Sequence, residues 1–276
     1  MIAKLQILVT LVLTIVYGVY LIDFNTYLDV LKIVAFYLSI NILYILLIIF
    51  IFILVIMFTQ KARKDALWKH QLLMSFSHYF FFSLLRVKLI VKGKENLPKN
   101  NRFVMYSNHI EYNDPFYIKE LYNYTSLSFV SKEPLFKYPI LKNLLTGIGC
   151  IPIGRLADRK SLEAILETIN VVKNGQPMGI FPEGKRSYSN NLQDFKPGAF
   201  KVAQKAKADI SLVTLFDFHE INKNFFRLKK VKVYMSILPL IKYEEIKDLD
   251  TITVSNMAHK LIDEELDKYK NKFDRN

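Results

Sequence analysis

The chain has 276 residues, of which 51% are hydrophobic and 23% charged, and its 38 Lys and Arg against 25 Asp and Glu give a net charge of +13. A single cysteine excludes a disulfide-stabilised scaffold, and 14% aromatic residues with few Gly and Pro exclude an intrinsically disordered chain. The length suits one catalytic domain with additional segments.

The first 60 residues carry four charged side chains, whose charges sum to zero. Two apolar stretches, residues 5–22 and 33–58, would span about 27 and 39 Å as helices, against a hydrocarbon core of about 30 Å. Residues 1–60 are therefore predicted to form a membrane-embedded helix pair.

The charges that flank these stretches predict an orientation. Residues 23–30, between them, contain two acidic and no basic residues before Lys32, whereas Lys61, Arg63 and Lys64 follow the second stretch. The positive-inside rule then places both termini, and the catalytic domain, on the cytoplasmic side of the cell membrane. A cleaved signal peptide is disfavoured because no small-residue cleavage site follows the first stretch. A hairpin that dips into one leaflet stays open.

Residues 61–86 are predicted to be a basic, interfacial and amphipathic linker. Its aromatic part, residues 70–86, is expected to form a helix along the membrane interface or against the catalytic domain. His70 and His78 lie there, and packing or headgroup contact is the simpler role for each.

From residue 87 onward, short β-rich runs alternate with amphipathic segments, which indicates an α/β domain over residues 87–276. One predicted helix has Leu162, Ile165, Leu166, Ile169 and Val172 along one side. Strands are predicted at residues 87–91, 103–106, 178–181, 210–216 and 231–237, and helices at 161–174, 198–207 and 255–273.

The first polar motif, over residues 107–115, directly follows a predicted strand, and Pro115 suits the first turn of a helix. His109 and Asp114 are five residues apart. On a loop that turns into a helix, Asp114 can fold back onto the imidazole, fix its tautomer and stabilise the imidazolium. The other ring nitrogen would then take a proton from a hydroxyl group.

The second polar motif, Phe-Pro-Glu-Gly-Lys-Arg-Ser over residues 181–187, also follows a predicted buried strand. Gly184 would let the backbone approach a ligand, Lys185 and Arg186 offer cationic donors, and Glu183 could bind a polyol or position Arg186. Arg155 ends another β-like run that begins at Gly149. Together these cations beside the His-Asp pair favour a phosphate site.

Other site classes find little support in the sequence. Cys150 has no second Cys or His at metal or nucleophile spacing, so a small buried residue is the simpler interpretation. No zinc-binding pattern, phosphate-binding loop or dinucleotide fingerprint is present, and no metal is predicted. The positive charge begins only after the membrane segment, and no nucleic-acid motif accompanies it.

Taken together, the motifs resemble those of the glycerolipid acyltransferases, specifically the 1-acyl-sn-glycerol-3-phosphate acyltransferases of bacterial phospholipid synthesis. Asn108, His109 and Asp114 match the family's Asn-His-x4-Asp motif, and residues 149–155 match its Gly-x-Ile-x-Ile-x-Arg pattern. Residues 181–187 match Phe-Pro-Glu-Gly-Thr-Arg-Ser, except that Lys185 replaces Thr. The similarity extends over roughly residues 87–240, including the run Phe-Lys-Pro-Gly-Ala at 195–199.

The resemblance implies a mixed, largely parallel sheet flanked by helices, and direct acyl transfer from a thioester donor, acyl-CoA or acyl carrier protein, to lysophosphatidic acid. No cofactor is implied, and the partners are the donor, the membrane lipid acceptor and the bilayer. His109 and Asp114 would be catalytic. The substrate-binding residues implied are Asn108, Arg155, Glu183, Gly184, Lys185, Arg186 and Ser187.

The family's proline-containing fourth motif is not reproduced at residues 210–215, which leaves the details of substrate choice open. Acceptors such as glycerol-3-phosphate or another lysolipid are an alternative. A non-catalytic protein that binds anionic lipid is an alternative of another class, and the intact His109, Asp114, Glu183 and Arg186 argue against it.

Overall fold

The computed structural model describes residues 2–23, 25–154, 159–224 and 229–273. The chain divides into two compact units, residues 1–59 and residues 60–276. Residues 61–86, which the sequence sets apart as a linker, belong to the second unit.

The first unit consists of two helices, α1 (Ile2–Leu21) and α2 (Tyr27–Phe58). Their mean hydropathy reaches 2.0 and 3.3, and both are long and apolar enough to cross a membrane. Gln6 donates a hydrogen bond to Asn41 of the other helix at 3.1 Å. They are candidate membrane helices.

Helix α2 begins at Tyr27, before the predicted position 33. The reason is the side chain of Asp29, which accepts a hydrogen bond from the backbone N–H of Thr26 at 2.9 Å. A carboxylate in the first turn of a helix also interacts favourably with the helix dipole. The predicted link over residues 23–30 was therefore too long.

The second unit contains a seven-stranded sheet in the order β1-β7-β6-β2-β5-β3-β4. Neighbouring strands are parallel except for β6 and β7, which confirms the predicted mixed, largely parallel α/β sheet. The strands are β1 (Val87–Lys92), β2 (Phe103–Ser107), β3 (Ser128–Lys132), β4 (Ile151–Ile153), β5 (Met178–Ile180), β6 (Asp209–Phe216) and β7 (Val231–Ile237).

Helices cover the sheet, and every residue of the central strand β2 is buried. On one face, Tyr106 stacks on Phe200 with ring centroids 4.3 Å apart, and on the other Phe103 packs against Tyr122 at 5.7 Å. The helices are α3 (Leu67–Ser77), α4 (Asp114–Leu121), α5 (Pro139–Gly147), α6 (Arg159–Lys173), α7 (Lys201–Ala206), α8 (His219–Lys223), α9 (Tyr243–Ile246) and α10 (Thr251–Phe273).

Helix α3 continues into a π-helical segment, His78–Leu84, and both pack against α4. Phe81 stacks on Phe116 at 4.4 Å, and its carbonyl accepts a hydrogen bond from the Tyr117 hydroxyl at 3.0 Å. The aromatic part of the linker therefore lies against the catalytic domain, the second of the two expected positions.

Two predictions about elements need correction, and some elements were not predicted. The predicted helix over residues 198–207 is a 3₁₀ turn, Pro197–Phe200, followed by α7. Strand β3 and helix α5 were not predicted. In α6, Leu162 and Leu166 of the predicted apolar side are 57% and 52% exposed.

Candidate active site

Parallel pairing of β2 with β5 places two polar loops side by side. Tyr106 pairs with Ile180, so the loop after β2, with His109, and the loop after β5, with Glu183, begin at the same edge of the sheet. Ligands of open α/β sheets bind at this carboxyl edge. The fold therefore brings the two predicted motifs together.

His109 and Asp114 form a hydrogen-bonded pair. The Nδ1 atom of His109 lies 2.8 Å from Oδ2 of Asp114, which also accepts the backbone N–H groups of Ile110 at 2.7 Å and Glu111 at 2.9 Å. Pro115 lies in the first turn of α4, as the sequence indicates. The helix start thus folds the carboxyl group back onto the imidazole.

The environments of the two partners differ. Asp114 is fully buried, and burial raises the pKa of its carboxyl group, whereas the hydrogen bond from His109 opposes that change. The His109 side chain keeps 15% exposure, and its ring stacks on Phe181 with centroids 4.0 Å apart. Because Asp114 occupies Nδ1, the Nε2 atom remains to accept a proton from a substrate.

Glu183 holds the loop of His109. Its Oε1 atom accepts the backbone N–H of His109 at 2.8 Å, and its Oε2 atom is buried without a hydrogen-bond partner among the described residues. Burial, and secondarily the nearby charge of Asp114, raise the pKa of Glu183 to about 8. The structure adds this backbone contact, and a contact of Glu183 with a polyol or with Arg186 stays a prediction.

Ser187 and its neighbour tie the two loops together. The backbone N–H of Ser187 donates to the His109 carbonyl at 2.9 Å, and that of Tyr188 donates to the Ile110 carbonyl at 3.3 Å. The Ser187 hydroxyl donates to the Ser189 carbonyl at 2.7 Å. Ser187 therefore stabilises the loop pair through its own backbone and side chain.

Asn108 is buried and anchors the first loop to strand β6. Its side-chain N–H donates to the Leu215 carbonyl at 2.9 Å, and its carbonyl oxygen accepts the Leu215 N–H at 2.8 Å. Both ends of the amide are thus used within the protein. The structure gives Asn108 a positioning contact rather than an open binding surface.

The turn after Glu183 presents cations. Gly184 has φ +70°, the left-handed region that favours glycine, and a side chain there would collide with the Lys196 amino group. Lys185 is exposed. The predicted Arg155 lies outside the described residues.

Arg186 contacts two aromatic rings. The centre of its guanidinium lies 3.1 Å from the ring centroid of Tyr112 and 5.0 Å from that of Tyr188. Its Nη1 atom is buried and has no hydrogen-bond partner among the described residues. Burial lowers the pKa of Arg186, and the charges of Tyr188 and Glu111 oppose that shift.

Four residues of the site were missed by the sequence analysis. Lys132 is the last residue of β3, the strand beside β5, and lies at the same edge of the sheet. Because β3 was not predicted from the sequence, Lys132 was not recognised as a residue at this edge. Lys196 lies within the quoted Phe-Lys-Pro-Gly-Ala run, which could have flagged it. Glu111 and Tyr112 lie within the first polar motif, residues 107–115, which could have flagged them as well.

Comparisons with known proteins identify relatives of this chain. The sequence model of the Acyltransferase family matches residues 88–216. A 1-acyl-sn-glycerol-3-phosphate acyltransferase of Borreliella burgdorferi is 30% identical over 191 residues, 68% of this chain and 75% of that protein. The chloroplastic 1-acyl-sn-glycerol-3-phosphate acyltransferase LPAT1 of Arabidopsis thaliana is 32% identical over 162 residues, 58% of this chain and 44% of that protein.

The fold is also found in a solved structure. The crystal structure of the 1-acyl-sn-glycerophosphate acyltransferase PlsC from Thermotoga maritima superimposes with a TM-score of 0.60 at 19% identity, and the match covers 98% of both chains. At that identity the match shows a shared fold. With the sequence matches and the site described above, it establishes that the chain is an acyltransferase and belongs to the 1-acyl-sn-glycerol-3-phosphate acyltransferase family.

Proposed function

We propose that this enzyme transfers a fatty acyl group from a thioester donor to the free hydroxyl of lysophosphatidic acid and so forms phosphatidic acid in phospholipid synthesis. The observation that carries the proposal is the contact of His109 with Asp114 at the sheet edge where Arg186 also lies. The relatives named above support the choice of acceptor.

In the proposed reaction, Nε2 of His109 takes the proton of the acceptor hydroxyl while Asp114 stabilises the imidazolium. The hydroxyl oxygen attacks the thioester carbonyl, and a tetrahedral intermediate forms. Its collapse breaks the carbon–sulfur bond, and the leaving thiolate takes the proton back from His109. No acyl-enzyme is needed, and no metal or organic cofactor enters these steps.

The glycerol phosphate of the acceptor is proposed to bind beside this pair. Arg186 is the principal phosphate ligand, because its buried Nη1 has no hydrogen-bond partner among the described residues, and Lys185 adds positive charge. Gly184 leaves room for the backbone to approach the substrate. Arg155 is proposed for the same site from sequence alone.

We further propose that the enzyme resides at the cell membrane with its catalytic domain on the cytoplasmic side. The acceptor and the product are both lipids, and helices α1 and α2 are apolar enough for a bilayer. The donor is acyl-CoA or acyl carrier protein, both acidic, and the charge of +13 suits either.

The test measures acyl transfer to labelled lysophosphatidic acid by the detergent-solubilised full chain, with acyl-CoA and acyl carrier protein as separate donors. We expect His109→Ala to lower turnover at least hundredfold, because the base is lost. His259→Ala is the matched control, since this histidine lies on α10 and packs against Phe195.

Three other results of this acyl-transfer assay would each contradict a part of the proposal. Acylation of glycerol-3-phosphate or another lysolipid in place of lysophosphatidic acid would contradict the proposed acceptor. Equal turnover by wild type and His109→Ala would contradict the proposed base. If folded wild-type protein acylates no acceptor, and binds anionic vesicles as tightly as His109→Ala does, the lipid-binding alternative replaces the proposed reaction.

A further inference from the structure

The two tyrosines that flank Arg186 come from different loops. Tyr112 lies in the loop after β2, three residues beyond His109, and Tyr188 lies two residues beyond Arg186. Their rings are 65% and 51% exposed, so neither ring is part of the hydrophobic core. Both rings contact the guanidinium group of Arg186.

The backbone of Tyr188 is strained. Its φ of +54° lies in the left-handed region, which a bulky side chain rarely adopts. The hydrogen bond from its N–H to the Ile110 carbonyl holds this conformation. The backbone conformation of Tyr188 is therefore energetically unfavourable, and in that conformation its exposed ring lies beside Arg186.

The aromatic contacts of Arg186 do not use the N–H groups of its guanidinium as hydrogen-bond donors. A cation that stacks on an aromatic ring uses the face of the guanidinium, whereas its N–H groups point outward in the plane. Nη1 is buried and without a hydrogen-bond partner among the described residues. The buried carboxyl group of Glu111, which is hydrogen-bonded to Asn222, interacts with Arg186 electrostatically.

We propose that Tyr112 and Tyr188 are positioning residues whose rings hold the Arg186 guanidinium in place, so that its N–H groups are fixed for the phosphate monoester of the acceptor. This inference rests on the proposed function, because it assigns the phosphate to Arg186. The rings act through Arg186 and touch no reacting atom. They therefore determine how strongly a phosphate-bearing acceptor is bound and leave the chemical step unchanged.

The experiment measures KM for lysophosphatidic acid and kcat in mixed micelles at saturating donor, using the full chain. Tyr112→Ala and Tyr188→Ala are each expected to raise KM about tenfold, with kcat within about twofold of wild type. Tyr112→Phe and Tyr188→Phe keep the ring and should restore KM to within about twofold. Tyr138→Ala is the matched control, because that ring is also 65% exposed and contacts no cation among the described residues.

The outcomes separate this inference from the proposed function. Wild type that does not acylate lysophosphatidic acid would defeat the proposed function itself. With active wild type, the positioning role is overturned if both alanine variants and their double variant keep the wild-type KM. It is also overturned if kcat falls while KM is unchanged, or if the phenylalanine variants are as impaired as the alanine variants. Thermal melting of each variant verifies that it is folded.

Discussion

The carboxyl group of Glu183 couples the second polar loop to the backbone of His109, the proposed base. It is buried, and one of its oxygens accepts the His109 N–H. The pKa of about 8 implies that the folded protein keeps this group protonated over a pH range in which the unfolded chain, with a pKa of about 4.3, has lost the proton. Glu183 should therefore make a pH-dependent contribution to the free energy of unfolding.

The sign of that dependence follows from proton binding. Between about pH 4.3 and 8 the folded state binds more protons at Glu183 than the unfolded state does, so this contribution to the unfolding free energy falls as pH rises. Glu183→Gln cannot titrate. We expect wild type to lose on the order of a few kcal/mol relative to Glu183→Gln between pH 5 and 8, measured by thermal unfolding.

The matched control is Glu95→Gln, which replaces an exposed glutamate. It should follow the pH dependence of wild type. A constant difference between wild type and Glu183→Gln across this pH range would show that Glu183 has an ordinary pKa in the folded protein.

Among the secondary-structure elements, α3 and α4 are joined by a buried polar contact. The Lys119 amino group on α4 donates to Nδ1 of His70 on α3 at 2.7 Å and to the Leu127 carbonyl. The other His70 nitrogen lies 2.7 Å from the Lys64 carbonyl and therefore donates to it, so Nδ1 is the acceptor. Burial lowers the pKa of Lys119 to about 7, and burial together with the charge of Lys119 lowers that of His70 to about 3.

This contact predicts a rise of stability with pH. Between about pH 7 and 10.4 the unfolded chain binds more protons at the lysine than the folded protein does, so the unfolding free energy increases as pH rises. We expect wild type to gain about 1–2 kcal/mol over Lys119→Met between pH 7 and 9. Lys173→Met, at an exposed position on α6, should not change this slope. Parallel curves for wild type and Lys119→Met would refute the prediction.

Elements with a strong local pattern were predictable from sequence, and those defined by tertiary contacts were not. Strand β7 and helix α10 have clear periodicity, and both are present. Helix α6 buries Ala164 and Thr168, whereas Leu162 and Leu166 face solvent. Small side chains let a helix approach a sheet closely, and hydrophobicity alone does not reveal which side does so.

The same distinction applies within the site. The His109–Asp114 contact is local, so spacing and the helix start at Pro115 predicted it. The contact of Glu183 with the His109 backbone depends on β2 and β5 being neighbours in the sheet, which the sequence does not specify. Leu215, the partner of Asn108, and Tyr112, which packs against Arg186, are likewise far from them in the sequence, whereas Tyr188 is only two residues from Arg186.

At the scale of the whole molecule, the flanking charges predict how the candidate membrane helices α1 and α2 are oriented. If both helices span the membrane, as the flanking charges predict, the residues between them face outward. The native thiol, Cys150, is buried, so Asn25→Cys would introduce an exposed thiol at that position. We expect an impermeant maleimide to label Asn25→Cys on intact cells.

Lys64→Cys, beyond the second helix, is the matched control and should be labelled only after the cells are permeabilised. If Asn25→Cys also requires permeabilisation, both helices lie in the cytoplasmic leaflet as a hairpin. That result would contradict a spanning pair and leave the fold of the catalytic domain unaffected.

Three backbone N–H groups donate hydrogen bonds that join the loop of His109 to the loop of Arg186: that of His109 to Glu183, that of Ser187 to the His109 carbonyl and that of Tyr188 to the Ile110 carbonyl. Separating these loops would break all three bonds and would move the His109 backbone away from Glu183 and Ser187. Substrate entry and product release are therefore expected to proceed while this pair stays closed. Any opening motion is expected in the other segments around the site, and the distance between His109, the proposed base, and Arg186, the proposed phosphate ligand, is expected to stay constant from one turnover to the next.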